Sequence, residues 1–519
     1  MNREDMLDKL ADAKYKFDVL VIGGGATGTG TALEAASRGY RTLLIEQSDF
    51  AKGTSSRSTK LVHGGVRYLQ QGNISLVLEA LKERGNLLKN APHLVHNLPF
   101  IVPNYDWWEG PFYGIGLKLY DLLAGKAGFG SSKLLSKEVT IERLPTIETN
   151  GLNGGVIYYD GQFDDSRLVI NIAQTAEEQG AVLINYLKAE KLIFKNDMVS
   201  GVIATDLESG HEFEMNARVV INATGVFADQ IRRLDDPSIT PMISPSQGVH
   251  IILDKSFLPG DTAIMVPHTD DGRVLFAIPW HDRIIVGTTD TPVNSVSMEP
   301  RPLPEELDFL LSHTARYLTK DPSRQDVLSV FAGLRPLVSS GDSENTAAIS
   351  RDHTVSISRS GLVTITGGKW TTYRKMAEDA IDQAAVIAQL DIQPSVTESL
   401  NIHGSHHHPD IFGELKDYGS DASELKELIN TKAEYSEQIH EKLPIKKGEV
   451  VWAVRHEMAR TVEDFLSRRR RALLLDARAS IEMADIVAGI MAKELGKKSA
   501  WRKEQVESFQ KIAEGYVVL

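Results

Sequence analysis

FDVLVIGGGATGTGTALEAASRGYRTLLIE, residues 17–46, has the pattern of a βαβ unit and decides the fold class of this chain. Residues 17–22 form a short apolar, β-branched run that is typical of a buried parallel strand. The run leads directly into glycines, and residues 31–38, rich in Ala, Leu and Glu, follow as a helix-forming segment. A second apolar run, 41–45, ends at Glu46. This order of elements predicts a dinucleotide-binding unit.

Three glycines in the turn, Gly23, Gly25 and Gly28, fit the G-x-G-x-x-G spacing. The first permits the tight turn, the second lets a pyrophosphate approach the backbone, and the third lets the helix pack close to the strand. Phosphates would then lie at the helix N-terminus, where unpaired N–H groups favour anions. Glu46 is placed to accept hydrogen bonds from an adenosine ribose and would repel the 2′-phosphate of NADP. The stretch alone does not choose between NAD and FAD.

Composition limits the classes of protein that remain. A chain of 519 residues exceeds a single hydrophobic core, so two or three domains are expected. The 57 basic and 70 acidic residues give a net charge of -13, which argues against a general nucleic-acid binder. The absence of cysteine excludes disulfides, thiolate catalysis and cysteine-ligated metal centres.

The sequence predicts that the protein neither spans a membrane nor is exported. Residues 1–16 are charged and lack the apolar core of a signal peptide. There is also no apolar run of the length that crosses a bilayer, although the protein could lie on one.

Two segments bear on membrane contact. Aromatic residues precede the amphipathic segment GIGLKLYDLLAG and could lie at a membrane interface or pack in the interior: Trp107, Trp108, Phe112 and Tyr113. The run RRRR, residues 468–471, could contact anionic lipid headgroups. Its alternative is a solvated helix face paired with the nearby Glu463 and Asp464.

Hydrophobic periodicity predicts a mixed α/β organisation over most of the chain. Helices are expected at 74–90, 167–179 and 304–317, and short strands over 181–220 and parts of 240–350. Prolines and aromatics between 92 and 145 suggest an irregular part of a second domain. Residues 361–388 give a strand, a Gly-Gly turn and a long helix.

The C-terminal part has a different character. HGSHHHPD, residues 403–410, is interpreted as a linker in a solvated loop, with metal binding by its histidines as the weaker alternative. From 411 to 519 the pattern is helical throughout, which predicts a separate all-α domain.

Three glycine junctions, at 22–28, 221–225 and 365–369, are spread over most of the first 390 residues. An NAD-dependent Rossmann enzyme keeps its cofactor site in one compact stretch, whereas a flavoprotein must also hold a large ring system. The distribution therefore favours FAD.

Five motifs give the chain a family resemblance: TSSRSTKLVHGGVRYL (54–69), INATGVFAD (221–229), GLRPL (333–337), SRDH (350–353) and GGKWTTYRKMAEDAID (367–382). They resemble the motifs of the FAD-dependent glycerol-3-phosphate dehydrogenase family, within the glycine-oxidase-like and D-amino-acid-oxidase-like flavoenzymes. The match covers nearly the whole chain in the correct order.

The resemblance implies a bipartite Rossmann-like FAD-binding domain interleaved with a mixed-sheet substrate domain. We expect FAD-binding segments at 17–90, 151–235 and 350–395, substrate-binding segments at 91–150 and 236–349, and an α-helical C-terminal domain at 410–519.

The same resemblance implies an activity. The family oxidises sn-glycerol 3-phosphate to dihydroxyacetone phosphate, reducing FAD and then a membrane quinone. We therefore expect a cytoplasmic protein, peripheral on the inner face of the cell membrane, with no metal and no nucleic-acid partner. The resemblance also allows a homodimer and contact with an anionic membrane surface.

Cofactor-binding residues follow from the motifs. Thr54, Ser55 and Ser56 offer hydroxyls and backbone donors to the pyrophosphate, with Lys60 as a further cation, unless this is only a Ser/Thr-rich surface loop. The helix beginning near Thr371 supplies positive potential toward reduced flavin. The remaining expected contacts are Gly23, Gly25, Gly28, Glu46, His63, Gly64, Ala189, Gly225, Gly367, Gly368 and Lys369.

Substrate residues must bind a phosphate and accept a proton. Arg67, Arg335 and Arg351 are the candidate guanidinium groups for the phosphate, and Tyr68 and Lys369 are expected beside them. His250 in SQGVHIIL is the expected base for the C2 hydroxyl, although a satisfied strand histidine is the alternative. Lys369 or Arg335 would stabilise a developing alkoxide, and the sequence leaves that choice open.

Three other functions remain to be weighed. An oxidase of the same substrate would pass electrons to O2, but oxidases of the family that the chain resembles usually carry an inserted segment, and no such segment is evident here. A non-catalytic FAD-binding protein would have lost the arginines or His250, and all are present. An FAD-dependent oxidase of amino acids or amines would need one arginine for a carboxylate, not several for a phosphate.

Overall fold

The computed structural model describes residues 1–11, 16–65, 73–106, 109–124, 130–266, 269, 273–338 and 352–518, without the side chains of 11, 110–112 and 124. Within this part of the chain lie two large sheets, flanking helices and a helical C-terminal region. The predicted α/β class with an α-helical C-terminal part is confirmed.

The first sheet is built around Phe17–Ile22, which lies between Glu212–Asn222 and Thr42–Ile45 and runs parallel to both. Every residue of this strand is buried, as its apolar run predicted. The strands of this sheet are, in order, His353–Ile357, Val363–Gly367, Glu212–Asn222, Phe17–Ile22, Thr42–Ile45 and Val182–Ile184, with Leu187–Lys195 and Met198–Asp206 extending antiparallel from Glu212–Asn222.

Helices pack on this sheet because their apolar faces meet its buried strands. Ala26–Ser37, the helix after the glycine turn, contacts both Tyr373–Ile387 and Asp165–Glu178. The other α-helices before residue 400 in the described chain are Arg3–Ala11, Ile74–Asn90, Glu109–Ala124, Lys137–Arg143, Ala228–Asp235 and Pro304–Ala315.

In the part of the chain that the structure describes, the second sheet has ten strands. Its order is Thr291–Pro292, Ile243–Asp254, Arg283–Gly287, Leu275–Trp280, Ala263–Val266, Val95–Asn104, Gly154–Phe163 and Leu61–Val62, with Ser329–Val338 paired to Ile243–Asp254 and Lys133–Ser136 to Gly154–Phe163.

Two sequence expectations change here. The irregular segment expected between 92 and 145 is wrong, because it contains two strands and two helices: Val95–Asn104, Glu109–Ala124, Lys133–Ser136 and Lys137–Arg143. The strand Gly154–Phe163 lies in the second sheet, although it falls within a segment assigned to FAD binding. The domain boundaries themselves stay a prediction.

The C-terminal region is helical apart from the hairpin Gln438–His440 and Leu443–Lys446. Its helices are Ala422–Asn430, Ala433–Ser436, Lys447–His456, Asp464–Arg469, Ala472–Leu475, Ala477–Glu494 and Ser499–Ala513. His403 in the linker lies between the carboxylates of Glu178 and Asp421, at 2.5 and 2.7 Å. Burial lowers the pKa of His403, but these two hydrogen bonds outweigh it and raise the pKa to about 9.

Both interpretations of residues 468–471 are wrong. Arg468, Arg469 and Arg471 are almost completely buried, so they neither contact lipid nor form a solvated helix face. The expected acidic partners Glu463 and Asp464 do bind Arg468, at 2.6 and 2.8 Å. Asp49, far away in the chain, binds both Arg468 and Arg469.

Of the four aromatic residues of the segment before residue 114, only Tyr113 has a side chain that the structure describes. Tyr113 is buried, whereas Trp107 and Trp108 and the side chain of Phe112 lie outside what the structure describes. Among the described residues, no helix has the length and hydropathy that a membrane crossing requires.

Candidate functional site

A cavity of about 340 Å³ opens at the carboxyl ends of the parallel strands, where the glycine turn begins the helix Ala26–Ser37. This edge of a parallel sheet is where nucleotide cofactors bind. The predicted cofactor residues Gly23, Gly25, Glu46, Thr54, Ser55, Ala189, Gly225, Gly367, Gly368 and Lys369 all line it. The structure therefore gathers residues that are widely separated in the sequence around one cavity.

The glycines of the turn are required by close packing. A Cβ on Gly28 would lie 1.8 Å from the carbonyl oxygen of Gly23, so the helix could not pack here. Gly23 has φ +114, a conformation that favours glycine, and its Cβ would meet the carbonyl of Ala223 at 2.6 Å. Ala26 N–H donates to Ser55 Oγ at 2.9 Å across the cavity wall. The turn thus presents backbone and hydroxyl groups rather than side-chain bulk.

Glu46 borders this cavity at the end of the second strand. Its carboxylate accepts hydrogen bonds from Gly24 N at 2.6 Å and Ser48 N at 2.8 Å. Burial raises the pKa of Glu46, and the two hydrogen bonds, which favour the ionised form, do not cancel this increase. The carboxylate therefore also holds the glycine turn, and its contact with a ribose stays a prediction.

Lys60 and Ser56 do not line this cavity. The Lys60 Nζ donates to Asp165 Oδ2 at 2.7 Å and to the Ser56 carbonyl at 2.8 Å. Burial lowers the pKa of Lys60 to about 7. The structure thus gives Lys60 a carboxylate partner inside the protein, away from the pyrophosphate end of the cavity.

A second cavity of about 210 Å³ adjoins the first and shares with it Thr54, Pro336 and residues 367–370. Its wall includes Arg57, Thr59, His63, His250, Arg335 and Thr371. The predicted base and the predicted phosphate ligand Arg335 therefore meet at one site, together with Lys369.

His250 is fixed on three sides. Its ring stacks on Phe331 at a centroid distance of 4.8 Å and an interplanar angle of 13°. Its Nε2 lies 2.9 Å from Thr59 Oγ1. A Cβ on Gly287 would lie only 2.2 Å from the ring. Burial, with smaller effects of Lys60 and Arg335, holds the pKa of His250 well below its usual range, so the imidazole is neutral at neutral pH.

Arg335 projects from the strand Ser329–Val338 in a defined orientation. Its Nη1 pairs with Asp290 Oδ1 at 3.1 Å, and its Nη2 donates to Thr288 Oγ1 at 3.1 Å and to the Thr289 carbonyl at 2.9 Å. Its side chain is 22% exposed, toward the second cavity. The guanidinium is therefore pre-oriented at the cavity wall.

A helix N-terminus points at the junction of the two cavities. The turn Trp370–Thr372 precedes the helix Tyr373–Ile387, and Gly367 and Gly368 adopt φ +80 and +71 just before it. His63 N donates to Thr371 Oγ1 at 3.2 Å, which joins this turn to the loop of the first motif. The positive end of the helix and Lys369 therefore meet where a flavin ring is expected.

Other predicted residues lie elsewhere. Gly64 is buried, and its N–H donates to the Tyr120 hydroxyl at 2.8 Å rather than lining either cavity. Arg67, Tyr68 and Arg351 lie outside the described residues. The sequence prediction missed Arg57 and Thr59, which line the second cavity. Both belong to TSSRSTK, but nothing in a Ser/Thr-rich loop distinguishes them beforehand.

Family comparisons agree with this site. A family model described as FAD dependent oxidoreductase matches residues 18–374. The chain belongs to this family. A second model, described as the C-terminal domain of alpha-glycerophosphate oxidase, matches residues 362–505 of this FAD-dependent oxidoreductase.

Relatives extend the match over nearly the full chain. The mitochondrial glycerol-3-phosphate dehydrogenase of Rattus norvegicus is 40% identical over 98% of this chain and 74% of its own length. That of Homo sapiens is 41% identical over 96% and 73%. The glycerol-3-phosphate dehydrogenase of Bacillus halodurans, solved complexed with FAD, has a TM-score of 0.82 and 29% identity, covering 99% of this chain and 97% of that one. The predicted family resemblance is confirmed.

The two cavities fit the cofactor of this oxidoreductase family. The glycine turn, where added Cβ atoms would collide with backbone, leaves room for a pyrophosphate at the helix N-terminus. The second cavity adjoins the first at residues 367–370. FAD has an adenosine half and a flavin half, so it needs two connected spaces of this kind. The preference for FAD over NAD, drawn from the dispersed glycines, is confirmed by the family.

Proposed function

We propose that this oxidoreductase oxidises C2 of sn-glycerol 3-phosphate to give dihydroxyacetone phosphate. The single observation that carries the proposal is the meeting of a neutral histidine with two cations, Arg335 and Lys369, at a cavity beside the FAD site. The names of the relatives support the same substrate. FAD, when bound, supplies the acceptor for the hydride that leaves C2.

Arg335 is the proposed ligand of the substrate phosphate. A guanidinium held by Thr288, Thr289 and Asp290 loses little entropy when it binds an anion. Asp290 neutralises part of its charge, so a second cation is needed for a dianionic phosphate, and Lys369 borders the same cavity. Arg67 and Arg351 stay predictions for the same role.

His250 is the proposed base. A neutral imidazole can accept the proton of the C2 hydroxyl as hydride leaves the carbon, and a depressed pKa keeps it available over the physiological range. The proton and the hydride together account for the two electrons and two hydrogens lost by the alcohol. Lys369 and the N-terminus of Tyr373–Ile387 would stabilise negative charge that develops nearby.

We further propose that electrons leave to a membrane quinone from a peripheral position on the cytoplasmic side of the membrane. Four side chains form an exposed apolar surface on and beside the helix Glu109–Ala124, with exposed fractions of 74%, 45%, 76% and 64%: Ile115, Leu119, Leu122 and Leu134. The first three share one helix face by their spacing. Such a surface would bury apolar side chains at a lipid interface. The homodimer stays a prediction without added support.

An oxidase of the same substrate is the second candidate, because the description of the C-terminal family model names an alpha-glycerophosphate oxidase. Turnover of glycerol 3-phosphate should be measured with and without a soluble quinone analogue, with dihydroxyacetone phosphate and peroxide both quantified. The dehydrogenase predicts turnover that requires the quinone and little peroxide. Peroxide formed in equal amount to dihydroxyacetone phosphate at the full rate would show that the protein is an oxidase. If glycerol 3-phosphate is not turned over at all, both functions are rejected.

Membrane contact is tested by cosedimentation with vesicles of phosphatidylglycerol and phosphatidylcholine. Changing Ile115 and Leu122 to Lys should reduce vesicle binding about tenfold or more, because two apolar side chains no longer enter the interface. Ile392→Lys is the matched control, since Ile392 is 76% exposed outside this surface. Equal binding by the double variant and the control would remove the apolar surface from the proposal.

A further inference from the structure

The proposed reaction gives no role to Thr59 or to the buried charged residues next to it. The turn from Ser56 to Lys60 lies between the pyrophosphate end of the loop and the strand Leu61–Val62. It carries Thr59 at its exposed side and Lys60 at its buried side, since Lys60 is 0% exposed. Within this turn only Thr59 reaches the ring of His250.

We propose that Thr59 is a positioning residue for His250, and that a buried cluster formed by Lys60, Asp165 and Arg471 holds the turn that carries Thr59. The role of Thr59 rests on the proposed function of His250 as the base. The cluster would connect the C-terminal region to the reaction site.

The hydroxyl of Thr59 is the only hydrogen-bond partner that the described residues give to the His250 ring. Thr59 Oγ1 lies 2.9 Å from Nε2, whereas Nδ1 has no partner among them. Stacking on Phe331 fixes the plane of the ring but leaves its rotation within that plane open. The bond to Thr59 removes that freedom and holds the ring in one orientation at the cavity wall.

Asp165 is the centre of the cluster. Its Oδ2 accepts from Ser58 N at 3.0 Å, Ser58 Oγ at 2.7 Å and Lys60 Nζ at 2.7 Å. Its Oδ1 accepts from Arg471 Nη2 at 3.0 Å. The residues on both sides of Thr59 are therefore bound to one carboxylate.

Arg471 brings the C-terminal region into this arrangement. Its Nη2 also donates to the Ser56 carbonyl at 2.7 Å, the same oxygen that accepts from Lys60 Nζ. The guanidinium thus closes the turn at its first residue while Asp165 holds the middle. Two charged groups and a carboxylate are costly to bury, and they are stable here because each is paired.

Backbone conformation gives independent support. Lys60 has φ +62 and Arg471 has φ +58, which residues with a side chain adopt at a cost. The side chains of both bind the same carboxylate, that of Asp165. Left-handed non-glycine residues of this kind concentrate at functional sites.

Charge around His250 gives a second readout. Charged and titratable groups approach the ring from each packed element: Lys60 and Asp165, Arg335 and Asp290, and Arg57, His63 and Lys369 on the cavity wall. The positive charge of Lys60 lowers the pKa of His250. Removing the charge of Lys60 should therefore raise the pKa of His250. The acid limb of the plot of kcat/KM against pH should then move to higher pH.

The experiment compares Thr59→Val with Thr59→Ser in the full-length, FAD-loaded protein. Valine has the shape of threonine without the hydroxyl, and we expect kcat to fall about tenfold or more while KM changes less than about threefold. The flavin absorbance should be unchanged. Serine restores the hydroxyl and should return kcat to within about threefold of the native value. Native kcat in Thr59→Val, or no recovery in Thr59→Ser, would overturn the proposal.

The cluster is tested with Lys60→Met, with Lys82→Met as the control because Lys82 is 57% exposed and forms an exposed pair with Glu398. Lys60→Met should shift the acid limb of kcat/KM to higher pH and the control should not. An unmoved profile would contradict the cluster. If Lys60→Met does not retain FAD, Arg471→Lys serves instead, with the expectation of lower kcat at unchanged flavin absorbance; native kcat in that variant would contradict the cluster.

A readout without turnover separates this proposal from the proposed function. In the ¹⁵N NMR spectrum of histidine-labelled protein, the His250 signal is assigned by its loss in His250→Asn. Thr59→Val should shift the Nε2 signal of His250, and Lys60→Met should raise the titration midpoint. If both variants shift the His250 signal but the protein does not oxidise glycerol 3-phosphate, the proposed substrate is wrong and the positioning role of Thr59 stands. If the signal does not shift, the positioning role of Thr59 is wrong and the proposed function is unaffected.

Discussion

Two groups of positive side chains in this protein have opposite environments. Arg335 and Lys369 are half-buried and border a cavity beside the FAD site. Arg468 and Arg469 are almost completely buried and bind carboxylates of other elements. Both groups consist of ordinary basic residues in the sequence. The difference teaches that the position of carboxylates in space, rather than the density of basic residues, decides whether a cation binds a ligand or holds the fold.

The buried group joins the C-terminal region to the loop of the cofactor site. Asp49, three residues beyond Glu46, lies 2.5 Å from Arg468 Nε and 2.6 Å from Arg469 Nη1. Burial raises the pKa of Asp49, but the two guanidinium groups outweigh it, so the pKa is lowered and the carboxylate stays ionised. Lys52 of the same loop pairs with Glu463 at 2.7 Å. The cofactor loop is thus clamped by a region whose described residues line neither of the two cavities.

The largest effect should come from breaking the buried group. Asp49→Asn would remove the carboxylate that the buried Arg468 and Arg469 share, and the free energy of unfolding should fall by about 3–5 kcal/mol. The measurement is denaturant unfolding of the FAD-loaded protein. Asp485→Asn is the control, because its pair with Arg502 is exposed and worth at most about 1 kcal/mol. Equal losses in both variants would contradict the distinction between buried and exposed pairs.

A smaller effect, on catalysis instead of stability, should come from the cavity group. Arg335→Ala should raise KM for glycerol 3-phosphate about 100-fold, because a charge-assisted contact with the phosphate is lost, while flavin absorbance stays intact. Steady-state kinetics with Arg324→Ala as the exposed control, 44% exposed and paired with Asp308, give the comparison. An unchanged KM would remove Arg335 from the phosphate site.

The smallest effect is a pH dependence of stability. Burial opposes ionisation of Glu463, but Arg468 and Lys52 outweigh it and lower the pKa to about 2. A folded-state pKa below the unfolded value stabilises the protein above the unfolded pKa, and this contribution is lost as the pH falls toward the folded value. Between about pH 4.5 and 2 the loss should amount to about 1–3 kcal/mol, measured by unfolding at each pH. Glu463→Gln should flatten this slope, and an identical slope would contradict the assignment.

Local features of the fold could be predicted from the sequence. The glycine turn and its flanking strands depend on residues within 30 positions, so their spacing is visible directly. The strand Val95–Asn104 could not be predicted, because its two prolines argue against a strand. In the structure Pro99 and Pro103 nevertheless lie within the strand, opposite Tyr159 and Gly155.

The site was predictable where a motif carries its own chemistry. The motifs single out His250, Arg335 and Lys369, and all three line one cavity. Lys60 was expected at the pyrophosphate, but its partner Asp165 lies 105 residues away. Asp49 and Arg469 are separated by 420 residues. Ion pairs between residues so far apart leave no local pattern in the sequence. The positions of Lys60 and of Arg468 and Arg469 therefore could not be predicted.

The central claim is that the cavity with His250, Arg335 and Lys369 oxidises glycerol 3-phosphate beside bound FAD. The direct test is anaerobic addition of glycerol 3-phosphate to the purified, FAD-loaded protein while the flavin absorbance band is recorded. The account predicts stoichiometric bleaching of the band in the native protein and recovery when a quinone analogue is added. A flavin that remains fully oxidised at saturating glycerol 3-phosphate would contradict it.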